Sequence, residues 1–146
     1  MPLPCGGRTL VHMFTPIGTA APVLAAEAFV RGEPRRVLEL TAFRGTWVVL
    51  AFAARHADVL ELAALEETFA ANRAVVIAAT PADWHDTADR YGSEETVRFP
   101  ILTGVEEHRR ITVLVDPGGV VRHVGLRRSG RETLAALEAQ LLPLAA

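Results

Sequence analysis

Two continuous apolar runs, residues 47–52 (WVVLAF) and 75–79 (VVIAA), constrain this chain more than any other feature. Each has strand length and no polar alternation, a pattern expected of strands covered on both faces. Between them Leu60, Leu62, Leu65 and Phe69 recur at near-helical spacing, with Glu61, Glu66 and Glu67 interspersed. That spacing predicts an amphipathic helix over about residues 58–72. The result is a strand–helix–strand unit, the building block of α/β proteins.

The flanking signals extend the pattern. Residues 1–35 alternate short apolar pieces with Gly and Pro and read as an irregular arm, with one edge strand over 9–14. Residues 36–146 read as a single domain, beginning with a short strand over 37–40. Thr80-Pro81-Ala82-Asp83 supplies a capping hydroxyl, a helix-starting proline and an early carboxylate, so a second helix is predicted from there to about Tyr91-Gly92. Short strands follow over 99–102 and 111–115, and Asp116-Pro117-Gly118-Gly119 is turn chemistry suited to a β-hairpin. Ser129-Gly130-Arg131-Glu132 is a capping box for a last helix, with Leu134, Leu137 and Leu141 as its inner stripe. The predicted order β-α-β-α-β-β-α implies a mixed sheet sandwiched by helices.

Composition narrows the function classes. The chain has 146 residues, 15 basic and 17 acidic, for a net charge of -2, which argues against nucleic acid as a partner. All the basic residues are Arg, and with abundant Ala this fits a GC-rich bacterial genome. No apolar run approaches the roughly 20 residues needed to span a bilayer, and no signal-peptide pattern is evident. A cytoplasmic location without a membrane partner is the expectation. The five His are scattered without H-x-H or H-x-x-x-H spacing, so neither a metal nor another cofactor is expected. The single cysteine, Cys5, excludes an internal disulfide or a CxxC pair.

The element order resembles the thioredoxin fold. Several stretches resemble its peroxiredoxin branch, the alkyl hydroperoxide reductase and thiol-specific antioxidant family. They are Ile17-Gly18 with Ala21-Pro22, FRGTWVVLAF at 43–52, ELAALEETF at 61–69, VVIAATPADWHDTADRYG at 75–92, FPIL at 99–102 and RITVLVDPGGVVRHV at 110–124. Together they cover about residues 17–142 in family order. The resemblance implies a peroxidatic cysteine at the start of the first core helix, where the helix dipole and an Arg stabilise its thiolate. Aligning the helix on Glu61, Leu62, Leu65 and Phe69 puts Asp58 at that position, with Arg55 at the family's threonine and Ala51 at its proline. An ungapped alignment from Trp47 puts Glu61 there instead. Neither register supplies the thiol, and a thioredoxin-type CxxC would fall on Ala57 and Leu60. A carboxylate cannot cycle through sulfenic acid, so the resemblance carries the fold and not the peroxidase chemistry. The family's arginine falls on Arg110.

The candidate site residues follow from that placement. His56, Asp58 and Arg110 are the catalytic candidates, and Arg55, Glu61, His108 and Trp84 are candidates for substrate binding. Asp58 beside an Arg at a helix start should have a lowered pKa; its plainer role is to cap the helix. His56 carries the imidazole that acid–base chemistry near neutrality favours, against a plainer reading as a solvated loop residue. The Arg110 fork suits an anionic or carbonyl oxygen; the alternative is a salt bridge to Asp58 or Glu61. His108 lies in an EEHRR run that also reads as a solvated turn. Trp84 reads as core packing or as a stacking surface, and Cys5 as incidental.

Two functions of different class fit these features. One is a cofactor-independent enzyme acting on a small molecule, with a loose association to specialised metabolism. The other is a non-catalytic binding or regulatory subunit built on a peroxiredoxin-like homodimer. Residual thiol antioxidant activity through Cys5 is a third and weaker option.

Overall fold

The computed structural model describes residues 9–10, 17–21, 23–127 and 129–142. Its elements in chain order are β1 (Thr9–Leu10), β2 (Ala25–Phe29), β3 (Arg36–Glu39), a 3-10 turn (Leu40–Phe43), β4 (Trp47–Ala51), α1 (His56–Ala71), β5 (Ala74–Ala79) and α2 (Trp84–Tyr91). They continue with β6 (Ile101–Leu102), β7 (Val105–Glu106), β8 (Ile111–Val115), β9 (Val121–Leu126) and α3 (Gly130–Leu141). A seven-stranded sheet runs in the order β3-β2-β6-β5-β4-β8-β9, and β1 pairs with β7 in a separate two-stranded sheet. Within the large sheet β6, β5 and β4 are parallel neighbours, while β2 and β3 on one side and β8 and β9 on the other join antiparallel. This is the mixed α/β sheet expected from the sequence.

The two apolar runs occupy the middle of the sheet because both of their faces are covered. Along β4, Val48 and Leu50 enter one core cluster while Val49 and Ala51 enter the other. β5 divides in the same way, Ile77 and Ala79 against Val76 and Ala78. Buried residues of all three helices, among them Val59, Leu62, Phe69, Tyr91 and Leu137, join the second cluster. Leu24, Leu40 and Val105 help to close the first.

Several local expectations shift. The stretch read as an irregular arm contributes β2, which lies between β3 and β6 with Ala26, Ala28 and Phe29 buried. The order thus gains a strand before residue 36. The edge strand predicted over 9–14 appears as Thr9–Leu10; residues 11–14 of it, like Cys5, lie outside the described residues. α1 starts at His56, and Asp58 occupies its third position, accepting the Arg55 backbone N–H at 3.0 Å, so it closes the first turn without being the cap residue. α2 starts at Trp84 with Asp83 as its cap, its carboxylate accepting the Asp86 N–H at 2.8 Å. The Thr80-Pro81 start fails because Thr80 is committed to the sheet end. Its N–H donates to the Leu102 carbonyl and its own carbonyl accepts from Val105. The cap at Ser129 stands, its hydroxyl accepting the Glu132 N–H at 3.1 Å. In α3 Leu137 is fully buried, whereas Leu141 in the last turn is exposed.

Candidate functional site

The chain leaves β4 through Ala53, a non-glycine residue with φ of 50°, in the left-handed region that costs an L-residue about 1–2 kcal/mol. This bend, and an Ala54 N–H bond to the Ala79 carbonyl at 3.1 Å, set α1 off from the carboxyl ends of β4 and β5. The first turn of α1 therefore projects Arg55, His56 and Asp58 over the sheet end, beside the segment that enters β8.

Asp58 is held there by three groups. Arg110 Nε donates to Oδ2 at 3.2 Å and Arg110 Nη2 to Oδ1 at 2.5 Å, a two-pronged pair. Arg127 Nη2 donates to Oδ2 at 3.0 Å, as does the Arg55 backbone N–H. Burial pushes the Asp58 carboxyl up, but the bonds from Arg110, Arg55 and Arg127, with the Arg127 charge, more than offset it and hold it below the ordinary range. The hydrogen bond to Asp58 raises Arg110. Burial lowers Arg127, against the opposing pull of Asp58. One carboxylate thus serves two guanidiniums, which leaves this group with an excess positive charge.

Arg127 is the residue that sequence reasoning missed. Its side chain is 1 % exposed, and its guanidinium also donates to the carbonyls of Phe52 at 2.8 Å, Ile111 at 3.1 Å and Ala53 at 3.4 Å. It ties the ends of β4 and β8 to the start of α1. In the sequence it stands in a polar RRSGRE run that looks like solvated surface, and no spacing signal distinguishes it.

Of the other candidates, Arg55 and His56 border a cleft of about 650 Å³ between the start of α1 and α2, together with Thr80, Thr87, Arg90 and Tyr91. The His56 ring lies 5.4 Å from that of Tyr91, and its Nδ1 is buried without a hydrogen-bond partner among the described residues. Burial raises the Tyr91 pKa. Asp58 and Arg110 are not among the residues bordering this cleft. Glu61 turns the other way and accepts the Gly130 N–H at the start of α3. His108 is exposed and meets Glu106 at 3.3 Å. Trp84 is a packing residue, its indole N–H donating to the Ala28 carbonyl at 3.1 Å and its ring set edge-on to Phe29. The structure therefore gathers Arg55, His56, Asp58 and Arg110 at one helix start, and it carries Glu61, His108 and Trp84 to other contacts. Among the described residues no group of three His, Cys, Asp or Glu side chains could hold a metal ion.

The fold is the thioredoxin-like fold of the peroxiredoxins. Reduced Plasmodium vivax 2-Cys peroxiredoxin superposes with a TM-score of 0.76 at 18 % identity, covering 86 % of this chain and 96 % of that one. Mycobacterium tuberculosis AhpC gives 0.74 at 16 % identity over 87 % of this chain and 93 % of its own. Mycobacterium bovis AhpC gives 0.75 at 18 % over 93 % and 98 %. At these identities the likeness establishes the fold. No protein-family model and no curated protein sequence matches the chain. The chain has one cysteine, Cys5, and none in α1. No helix among the described residues is long and apolar enough to cross a membrane.

Proposed function

We propose that this protein is a redox-inactive, peroxiredoxin-like protein that binds a small polar organic molecule in the cleft between α1 and α2, with His56 as the proton-carrying group. The observation that carries this reading is the cleft of about 650 Å³, within the usual range for small-molecule sites, with an imidazole on its wall. Thr80 and Thr87 add hydroxyls to that wall, Arg55 and Arg90 add positive charge that Asp86 and Asp89 balance, and Val59 and Ile101 add an apolar surface. Asp58 and Arg110, named as catalytic candidates from the sequence, act here as positioning residues. A carboxylate already engaged by two arginines is a poor base, and its part is to fix the helix start that presents Arg55 and His56. The chemistry is acid–base or electrostatic, without a cofactor, and the protein works in the cytoplasm.

A thermal-shift and NMR screen of small phosphates and polyketide-like acids tests this reading. The expected result is a ligand that shifts the Arg55, His56 and Thr87 amides and binds at least about tenfold more weakly to His56→Ala and Thr87→Val. Hydrogen peroxide should not be consumed, with or without Cys5→Ser. A ligand indifferent to both cleft variants, or peroxide turnover lost in Cys5→Ser, would overturn it.

A second reading, a non-catalytic subunit of a homodimer, draws on β9. This strand is an edge of the sheet, and its Leu126 is 73 % exposed. A monomer by light scattering removes that reading.

A further inference from the structure

The polar groups bordering the α1–α2 cleft are mainly hydrogen-bond donors, and His56 is the one whose form the structure fixes. Its Nδ1 is buried and has no hydrogen-bond partner among the described residues. Buried N–H groups are hardly ever left without a partner, whereas buried lone pairs more often are. His56 is also the first residue of α1, where the opening amides of the helix direct N–H groups toward its end with no helical carbonyl to receive them. A lone pair suits that setting and a further N–H does not. The neutral ring therefore carries its proton on Nε2. Nε2 makes no hydrogen bond to a described residue and is not sealed off as Nδ1 is, which leaves its N–H to the cleft that the ring borders.

The neighbouring groups follow the same pattern. The Thr80 hydroxyl accepts the Ala82 N–H at 3.2 Å, so its own hydrogen is left to donate. Burial pushes the Tyr91 phenol up, and it keeps its proton at neutrality. Arg55 and Arg90 can only donate. The acceptors lie at the edge of this set: Asp86 and Asp89 are on exposed positions of α2, and the buried Thr87 hydroxyl has already committed its hydrogen to the Asp83 carbonyl at 2.8 Å.

A wall of donors calls for a ligand that accepts. We propose that the α1–α2 cleft takes a molecule bearing a carbonyl group, and that the carbonyl oxygen accepts from His56 Nε2–H. This rests on the small-molecule reading of the cleft and narrows it. The neutral imidazole polarises the carbonyl through its oxygen and does not take a proton from the ligand, since its lone pair is on the buried Nδ1. Val59 and Ile101 receive the apolar remainder of the molecule.

Two measurements on the full chain test it. Long-range proton–nitrogen NMR of the imidazoles at about pH 8, where an ordinary histidine is neutral, should show His56 in the Nε2–H form. Cyclohexanone and cyclohexylammonium, which share a ring and differ in whether the polar end accepts or donates, are then titrated in turn at equal ionic strength and followed by amide NMR. Cyclohexanone should shift the Arg55, His56 and Thr80 amides saturably and bind at least about tenfold more tightly than the ammonium. His56→Leu should weaken cyclohexanone about tenfold, the worth of one hydrogen bond, and His56→Gln, which can place an amide N–H near the same point, should recover most of that. If His56→Leu does not fold, the ring form and the two probes on the wild-type chain decide. An Nδ1–H ring, tighter binding of the ammonium, or equal cyclohexanone affinity in His56→Leu would overturn the proposal and leave the small-molecule reading of the cleft standing. Amides unmoved by cyclohexanone would overturn it too, and that reading falls with it only if the phosphates and acids of its own screen also leave them unmoved.

Discussion

Asp58→Asn keeps the size of the side chain and removes its charge, so it isolates what the carboxylate does for the two arginines. Their surroundings differ. The Arg110 side chain is 33 % exposed and recovers solvent readily, whereas that of Arg127 is 1 % exposed and cannot. Removing one partner of a buried ion pair costs about 3–5 kcal/mol. Arg127 keeps its bonds to the carbonyls of Phe52, Ile111 and Ala53, and the Asn oxygen still accepts one bond. The expected loss is therefore at the low end, about 3 kcal/mol, or about 6–12 °C in melting temperature for a chain of this size. Urea and thermal unfolding followed by circular dichroism at pH 7 measure it. The pH dependence gives a second check. Because the folded pKa of Asp58 is depressed, its stabilisation is complete well above the unfolded value of about 3.9 and fades as the pH falls through the lower folded value. The gap between wild type and Asp58→Asn should be flat near neutrality and close in acid. A loss under about 1 kcal/mol at pH 7, or a gap that widens on acidification, would refute the reasoning.

Arg127→Ala should cost about 3–4 kcal/mol, because it uncaps several strand-end carbonyls and leaves a void, while Arg110→Ala should cost about 1 kcal/mol or less at its more exposed position; paired urea denaturation curves check the ranking. Asp83→Ala should lower stability by about 1 kcal/mol through loss of the α2 cap, measured in the same way.

The middle of the fold was legible because burial on both faces leaves an unbroken apolar run, and WVVLAF and VVIAA are β4 and β5. The hairpin was legible from Asp116 and its Pro-Gly-Gly, and the last helix from Ser129. β2 was not, since its sequence AAEAF has little β-propensity. Its place comes from pairing with β3 and β6, partners far away in the sequence. The start of α2 was misplaced because Thr80 and Pro81 satisfy local cap chemistry, while the hydrogen bonds from Thr80 to Leu102 and Val105 are tertiary. At the site, the meeting of Asp58 with Arg110 was anticipated through the family resemblance. Arg127 was invisible because nothing local distinguishes a buried arginine from a solvated one; only the carbonyls of Phe52, Ala53 and Ile111, brought together at the ends of β4 and β8, call for it. Glu61, His108 and Trp84 have the residue types a site would use, and the fold commits them to α3, to Glu106 and to β2.

Helix ends are ordinarily where a helix opens first, since their terminal amides have no partner within the helix. In α1 that order is inverted. Its first turn is fastened through Asp58 to Arg127, and Arg127 to the carbonyls of Phe52, Ala53 and Ile111. Unwinding the turn would strand a buried cation among strand ends, so local opening there draws on the stability of the whole sheet. The start of α1 thus behaves as part of the slowest-opening core. A scaffold of this kind holds His56 still at the mouth of its cleft and offers little capacity for rearrangement at that end of the helix.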